Sequence, residues 1–193
     1  MQVLVTGGAG YIGSHTAKVL SQRGLGAVAL DDLSNGHRHN VRWGPLVDAS
    51  IADTARVRGA IREHRIEAVV HFAAKAYVGE SMAHPDRYFR TNVAGTLALL
   101  DALREEGVSK LVFSSTCATY GIPQRVPIDE DHPQRPVNPY GESKLFVERV
   151  LDWYGKAYGL RSVALRYFNA AGADPDAEIG EEHDPETHLI PLV

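Results

Sequence analysis

The chain is 193 residues long, 44% hydrophobic and 23% charged, with a formal net charge of -4 at pH 7. That length suits one domain, or one domain and part of another, and the composition is that of an ordinary globular protein. The negative balance argues against a nucleic-acid partner, the single Cys117 rules out an internal disulfide and a zinc pattern, and the nine scattered histidines form no metal-ligand motif.

The first element is the apolar run Val3-Leu4-Val5, which predicts a strand over 2–6, so that a signal peptide is not expected. Glycines follow at once. Gly8, Gly10 and Gly13 match G-x-G-x-x-G, and Gly7, Gly10 and Gly13 give an overlapping G-x-x-G-x-x-G. Ile12, Ala17, Val19 and Leu20 then recur at helical spacing, predicting a helix over 12–23. A strand, a glycine turn and a helix in this order bind a dinucleotide. The glycines tighten the turn and admit a pyrophosphate to backbone N–H groups, and the helix N-terminus offers a positive dipole end.

A second strand is expected over 26–31, ending on Asp31, eighteen residues past Gly13. A carboxylate there accepts from the adenosine ribose hydroxyls. It would repel a 2′-phosphate, so NAD is expected rather than NADP, with Arg38 and Arg42 nearby as the opposing signal. Further strands are expected at 46–48, 67–72, 109–114 and 161–166, and helices at 53–64, 80–105 and 139–158. Asp53 or Ser50 is placed to cap the helix at 53–64, and Pro85 should delay or break the next one. Residues 117–138, with Pro139, hold five of the ten prolines and read as a long loop, a feature often functional in compact domains.

Strands alternating with helices make the fold class α/β, a doubly wound parallel sheet of the Rossmann kind. Several strands end in small residues: Gly7-Gly8, Ala73-Ala74, Ser114-Ser115-Thr116 and Asn169-Ala170-Ala171-Gly172. Ligands of open α/β sheets bind outside the carboxyl ends of the strands, so these turns outline one trough for an extended ligand. No apolar run approaches the ~18 residues of a membrane span, and a cytoplasmic, metal-free chain without a membrane partner is expected.

Chemistry is offered by Tyr140 and Lys144 in Pro139-Tyr140-Gly141-Glu142-Ser143-Lys144. Four residues apart on a helix, they share a face with Cβ atoms about 5–6 Å apart. A free phenol, with a pKa of about 10, is a poor base at neutral pH, and a neighbouring ammonium favours its ionised form. Ser114-Ser115-Thr116 offers a hydroxyl to orient a substrate hydroxyl toward that tyrosine.

With these residues the chain resembles the extended short-chain dehydrogenase/reductases, most closely the UDP-glucose (UDP-galactose) 4-epimerases. The resemblance rests on Val5-Thr6-Gly7-Gly8-Ala9-Gly10-Tyr11-Ile12-Gly13-Ser14-His15, Asp31-Asp32-Leu33-Ser34-Asn35, His71-Phe72-Ala73-Ala74 and Val78-Gly79-Glu80-Ser81. Asn92-Val93-Ala94-Gly95-Thr96, Ser114-Ser115-Thr116, the Tyr140 segment and Arg166-Tyr167-Phe168-Asn169 complete it. It implies NAD as cofactor, with Gly7, Gly10, Tyr11, Ile12 and Gly13 at the pyrophosphate and Asp31, Asp32, Leu33, Ser34, Asn35 and Gly36 at the adenosine ribose. Asp48 and Ala49 would meet the adenine, Phe72, Ala73 and Ala74 the nicotinamide side, and Lys144 the nicotinamide ribose. Thr116 and Tyr140 would bracket the sugar, Phe168 and Asn169 would meet cofactor and substrate, and His188 and Leu189 would face the UDP-sugar. Thr91 also joins the cofactor set, although many members carry asparagine there, and a lysine that some place at position 76 sits here as Lys75.

The implied reaction is an epimerisation at C4 of a UDP-hexose. Tyr140 phenolate takes the 4-hydroxyl proton, a hydride passes to NAD, and a 4-keto sugar turns over before the hydride returns. The catalytic set is Thr116, Tyr140 and Lys144. A nucleotide-sugar 4,6-dehydratase on the same fold needs an Asp-Glu pair after the strand-end Thr, whereas Cys117 and Ala118 stand here. An epimerase acting on a UDP-pentose and an inactive NAD-binding remnant stay open as alternatives. The expected domains are 1–172, binding NAD, and 173–193, the start of a substrate region that family members continue beyond this chain's end. The partners implied are a UDP-sugar and, at most, a second copy of the chain in a homodimer.

Overall fold

The computed structural model describes residues 1–183 and residue 186. The apolar run at the N-terminus forms strand β1, Gln2–Thr6, and its side chains divide between two faces as a period of two requires. Val3 and Val5 pack against Ala17 of helix α1 (Tyr11–Gln22) and Ala27 of strand β2 (Gly26–Asp31). Leu4 points the other way, into a larger cluster with Val28 and Leu30. The same cluster takes Val57 and Ile61 from α2 (Thr54–His64), and Phe113 from β5 (Lys110–Ser114). Leu99, Leu100 and Leu103 of α5 (Thr96–Glu105) and Val147 and Leu151 of α6 (Pro139–Tyr158) close it.

With β3 (Leu46–Asp48), β4 (Ile66–His71) and β6 (Arg161–Leu165), the described strands form one sheet in the order β3-β2-β1-β4-β5-β6. Every pairing is parallel. The order reverses between β1 and β4, where Thr6 pairs with His71. In this architecture that switch point opens the ligand crevice. The fold class is therefore as expected, and the strand limits lie within one residue of the sequence reading.

The starts of two helices are set by side chains. Asp53 caps α2 by accepting from the Arg56 N–H at 3.0 Å, and Asn138 caps α6 by accepting from the Gly141 N–H at 2.8 Å. Gly159, at φ 73, ends α6 in the left-handed conformation. The helix expected over 80–105, with a delay or break at Pro85, is four pieces. They are α3 (Val78–Ala83), α4 (Pro85–Tyr88), a π-helical segment (Phe89–Gly95) and α5. Pro85 has no N–H to continue the ladder, so His84 leaves helical geometry (φ -134, ψ 62) and Pro85 becomes the first residue of α4. In the π-helical segment the Asn92 carbonyl accepts the Thr96 hydroxyl at 2.6 Å. Among the described residues, no helix is long and apolar enough to cross a membrane.

Leu99 is fully buried at the centre of the larger cluster. Leu99→Ala should lower unfolding free energy by about 2–5 kcal/mol, read as a lower urea midpoint at unchanged slope.

Candidate active site

A cleft of about 500 Å³ runs along the carboxyl ends of the strands. It starts at the glycine turn. Gly7 sits at φ +70, and a Cβ there would lie 2.7 Å from the Ala73 backbone nitrogen. A Cβ on Gly13 would lie 2.0 Å from the Gly7 carbonyl oxygen. These two glycines let turn, helix and β4 end meet. Gly10 differs: its φ of -83 suits any residue, and a Cβ there would find only the Gly7 oxygen at 3.4 Å. The protein's own packing does not require glycine at position 10. Gly10 lines the cleft, so its bareness leaves room for something that approaches the backbone closely. Helix α1 begins there with no side-chain cap and no acid in its first turn, a positive end facing the cleft.

Asp31 closes the β2 end. Its carboxylate is buried and accepts from the Ala9 and Leu33 N–H groups, both at 2.9 Å. Burial pushes this carboxyl up, and the two N–H donors pull it back. Each oxygen keeps lone pairs for a further donor, and Asp31, Asp32, Ser34, Asn35, Gly36 and Ala49 all line the cleft. Leu33 and Asp48 do not. Leu33 takes a left-handed turn (φ 57) bound to Asp31, and the Asp48 carboxylate pairs with Arg38 at 2.6 Å.

At the far end, Phe72, Ala73, Ala74, Thr91, Thr116, Tyr140, Lys144, Phe168 and Asn169 share the same cleft. Ser115 does not: its buried hydroxyl donates to Glu148, which also holds Arg166 at 2.6 Å. Burial pushes the Tyr140 phenol pKa up, and Thr116, which lies against the phenol, pulls it back in part. Lys144 is buried, its Nζ donating to the Ser114 carbonyl at 2.9 Å and lying 6.0 Å from the Tyr140 ring centre. Burial pulls its pKa down to about 7. Both groups are driven toward their neutral forms, the opposite of the ionised phenol expected from the pairing on one helix face, because burial is the larger effect on each. Perturbed groups gathered in a cleft mark a functional site.

The sequence reading had missed the cleft's outer wall. Lys75, Tyr77 and Val78 continue the β4 end, and His37 and Asn40 follow the Asp31 turn. The strand-end rule, extended a few residues further, would have found these. Nothing in the sequence signalled Gly180 to His183, which also line the cleft. Their segment is clamped by Lys18 of α1, which bonds Asp174 (2.7 Å), Asp176 (2.7 Å) and Glu178 (2.7 Å). The Tyr11 hydroxyl likewise donates to the Gly172 carbonyl at 2.5 Å. His188 and Leu189 lie outside the described residues.

A six-stranded parallel sheet with a glycine turn and Asp31 at one end of its cleft and a Thr, Tyr and Lys set at the other defines the class as a Rossmann-type α/β protein. Over residues 3–193 the chain matches the model of the NAD dependent epimerase/dehydratase family, and it belongs to that family. By the family's own description its cofactor is NAD. Among curated relatives, the UDP-glucose 4-epimerase of Rhizobium leguminosarum bv. trifolii is 55% identical over 98% of this chain and 58% of its own length. Among solved structures, UDP-glucose 4-epimerase from Brucella ovis in complex with NAD superposes with a TM-score of 0.98 at 56% identity, covering 99% of this chain and 59% of that one. UDP-glucose-4-epimerase from Stenotrophomonas maltophila, with bound NAD and formylated UDP-arabinopyranose, gives a TM-score of 0.95 at 42% identity, covering 99% and 60%. The chain thus spans somewhat over half the length of the relatives it matches.

Two measurements check this site. Gly10→Ala should leave the urea midpoint unchanged yet weaken NAD binding at least about tenfold, whereas Gly13→Ala should destabilise the fold itself. Unchanged NAD affinity in Gly10→Ala would remove the assignment of this turn.

Lys144 provides the second. Between pH 7 and 10.5 the unfolded chain holds a proton that folded Lys144, at about 7, has released. Stability should therefore rise with pH in that window, by up to about 1.4 kcal/mol per unit, and fall as pH drops toward 7. Lys144→Met should lack that increment in urea titrations at several pH values; identical slopes would show the lysine to be charged when folded.

Proposed function

We propose that this chain is the cofactor-binding and proton-transferring part of a UDP-glucose 4-epimerase, interconverting UDP-galactose and UDP-glucose through a 4-keto sugar. The observation that carries it is a single cleft with a glycine cradle and Asp31 at one end and Thr116, Tyr140 and Lys144 at the other. The relatives' names and the family's cofactor support it.

The cradle suits NAD: Gly10 leaves the backbone bare, and α1 offers its positive end to the pyrophosphate. Asp31 keeps lone pairs for the ribose hydroxyls. Bound NAD would supply the hydride acceptor and donor, and a positive ring near the phenol. The chain's own part is proton transfer and orientation. Thr116 holds the sugar 4-hydroxyl, and Tyr140 takes its proton and later returns it. A phenol raised by burial becomes a base only when positive charge stands against it; with Lys144 drawn down to about 7, only its protonated fraction near neutral pH supplies that charge from the chain itself. Such transfer by a positioned group is worth about 10²–10⁴ in rate.

Residues 1–172 are assigned to the NAD-binding domain, and 173 onward to the start of the substrate-binding region. The clamp of Lys18 on Asp174 holds that start against α1. A second reading, a UDP-pentose as substrate, is favoured by the pentose nucleotide in the Stenotrophomonas structure.

In a protein completed by a relative's C-terminal region, Tyr140→Phe should reduce UDP-galactose epimerisation by at least about a hundredfold while NAD stays bound. Retention of more than a tenth of the rate would assign the base elsewhere. Assaying UDP-galactose beside UDP-arabinose separates hexose from pentose.

A further inference from the structure

His71, the last residue of β4, is fully buried and not on the cleft wall, yet both ring nitrogens are engaged. Nδ1 lies 2.6 Å from the Thr6 hydroxyl, at the end of β1, and Nε2 lies 2.9 Å from the Thr96 hydroxyl. The neighbours decide which nitrogen carries hydrogen. A threonine hydroxyl has one hydrogen to give, and Thr96 gives its own to the Asn92 carbonyl at 2.6 Å. Toward His71 it can therefore only accept, so Nε2 bears the hydrogen. In a neutral imidazole Nδ1 is then bare and accepts from Thr6, whose own lone pair faces the Ala73 N–H at 3.4 Å.

The thread continues through Asn92. Its amide oxygen accepts from the Lys75 N–H at 2.8 Å, and its amide nitrogen donates to the Lys75 carbonyl and the Ser143 hydroxyl, both at 3.0 Å. Ser143 donates to the Tyr140 carbonyl at 2.7 Å. One run of polar side chains thus ties the end of β1, the turn after β4, the π-helical segment and the first turn of α6. Reversing any one bond leaves a buried group unpaired, so the thread has a single direction.

We propose that His71 is a positioning residue, locked as the Nε2–H tautomer, that sets the spacing between the Ala73–Lys75 wall of the cleft and the helix turn bearing Tyr140. This rests on reading the cleft as the NAD site. The proton inventory agrees: full burial, with Lys144 as the charged neighbour, draws the His71 pKa down to about 3, so the ring stays neutral.

The test is long-range proton–nitrogen NMR on the chain labelled with nitrogen-15 histidine, the His71 ring being assigned by its loss in His71→Gln. A pyrrole-like Nε2 and a bare Nδ1, unchanged from about pH 5.5 to 9, are expected, where a free histidine would titrate. A hydrogen on Nδ1, or titration within that range, overturns the proposal. Thr96→Val, close to isosteric, should bind NAD about tenfold more weakly, and Thr96→Ser should match the unmodified chain. Equal binding by Thr96→Val, or failure of Thr96→Ser to restore it, also overturns the proposal. If Thr96→Val does not fold, the NMR result on the unmodified chain decides. Should the unmodified chain bind no NAD, the cofactor reading fails, and the tautomer measurement still judges His71 separately.

Discussion

The structure depends on a close approach between three backbones at the centre of the sheet. Gly7, at φ +70, lets the turn after β1 lie against the Ala73 nitrogen, and Gly13 lets α1 press onto that same turn. A side chain at either position would occupy space already held by backbone atoms, which cannot yield as a flexible side chain would. The approach brings the ends of β1 and β4 together where the strand order reverses, and the cleft opens there. Gly10 belongs to the same motif for another reason: its freedom is unused by the fold and remains for the ligand.

Around this point the chain burdens itself with polar groups in apolar surroundings. Asp31, His71, Asn92, Ser143 and Lys144 are all buried, and each has a specific partner. An unpaired group at any of these places would be expensive, so the partners hold the strand ends and α6 in one arrangement. Tyr140 and Lys144 face the cleft from that arrangement. Desolvation moves the lysine toward neutral pH and the phenol away from it, which makes the local positive charge decisive for whether Tyr140 can act as a base.

The segment from Asp174 to His183 shows a different use of charge. Lys18 projects from α1 into three carboxylates, and each lies 2.7 Å from its nitrogen. Those contacts draw a segment without helix or strand across the mouth of the cleft, beside the Asp31 turn. His39 meets Glu182 at 2.8 Å. The cleft wall is therefore built partly from residues more than 140 positions along the chain from His37 and His39, which they meet.

Short-range pattern alone determined much of this protein. Apolar runs of strand length marked all six described strands within a residue, and the central β1 and β2, buried on both faces, left a continuous apolar trace. The glycine spacing, Asp31 and the Tyr140–Lys144 pair were legible for a similar reason, since turn and helix geometry tie nearby residues together. Only the tertiary structure decided the rest. The break at Pro85 was expected, but the periodicity over 80–105 gave no sign of the π-helical turn whose Asn92 carbonyl is met by Thr96. That the Asp48 carboxylate pairs with Arg38 was not legible in the sequence. Lys18 reads in sequence as one more polar residue on a helix, and His71 as one more polar strand end. The partners of both stand dozens to more than a hundred residues away, Asp174 for the one, Thr6 and Thr96 for the other. Local periodicity records which face a side chain takes, whereas the partner it meets there depends on distant segments that only folding brings together.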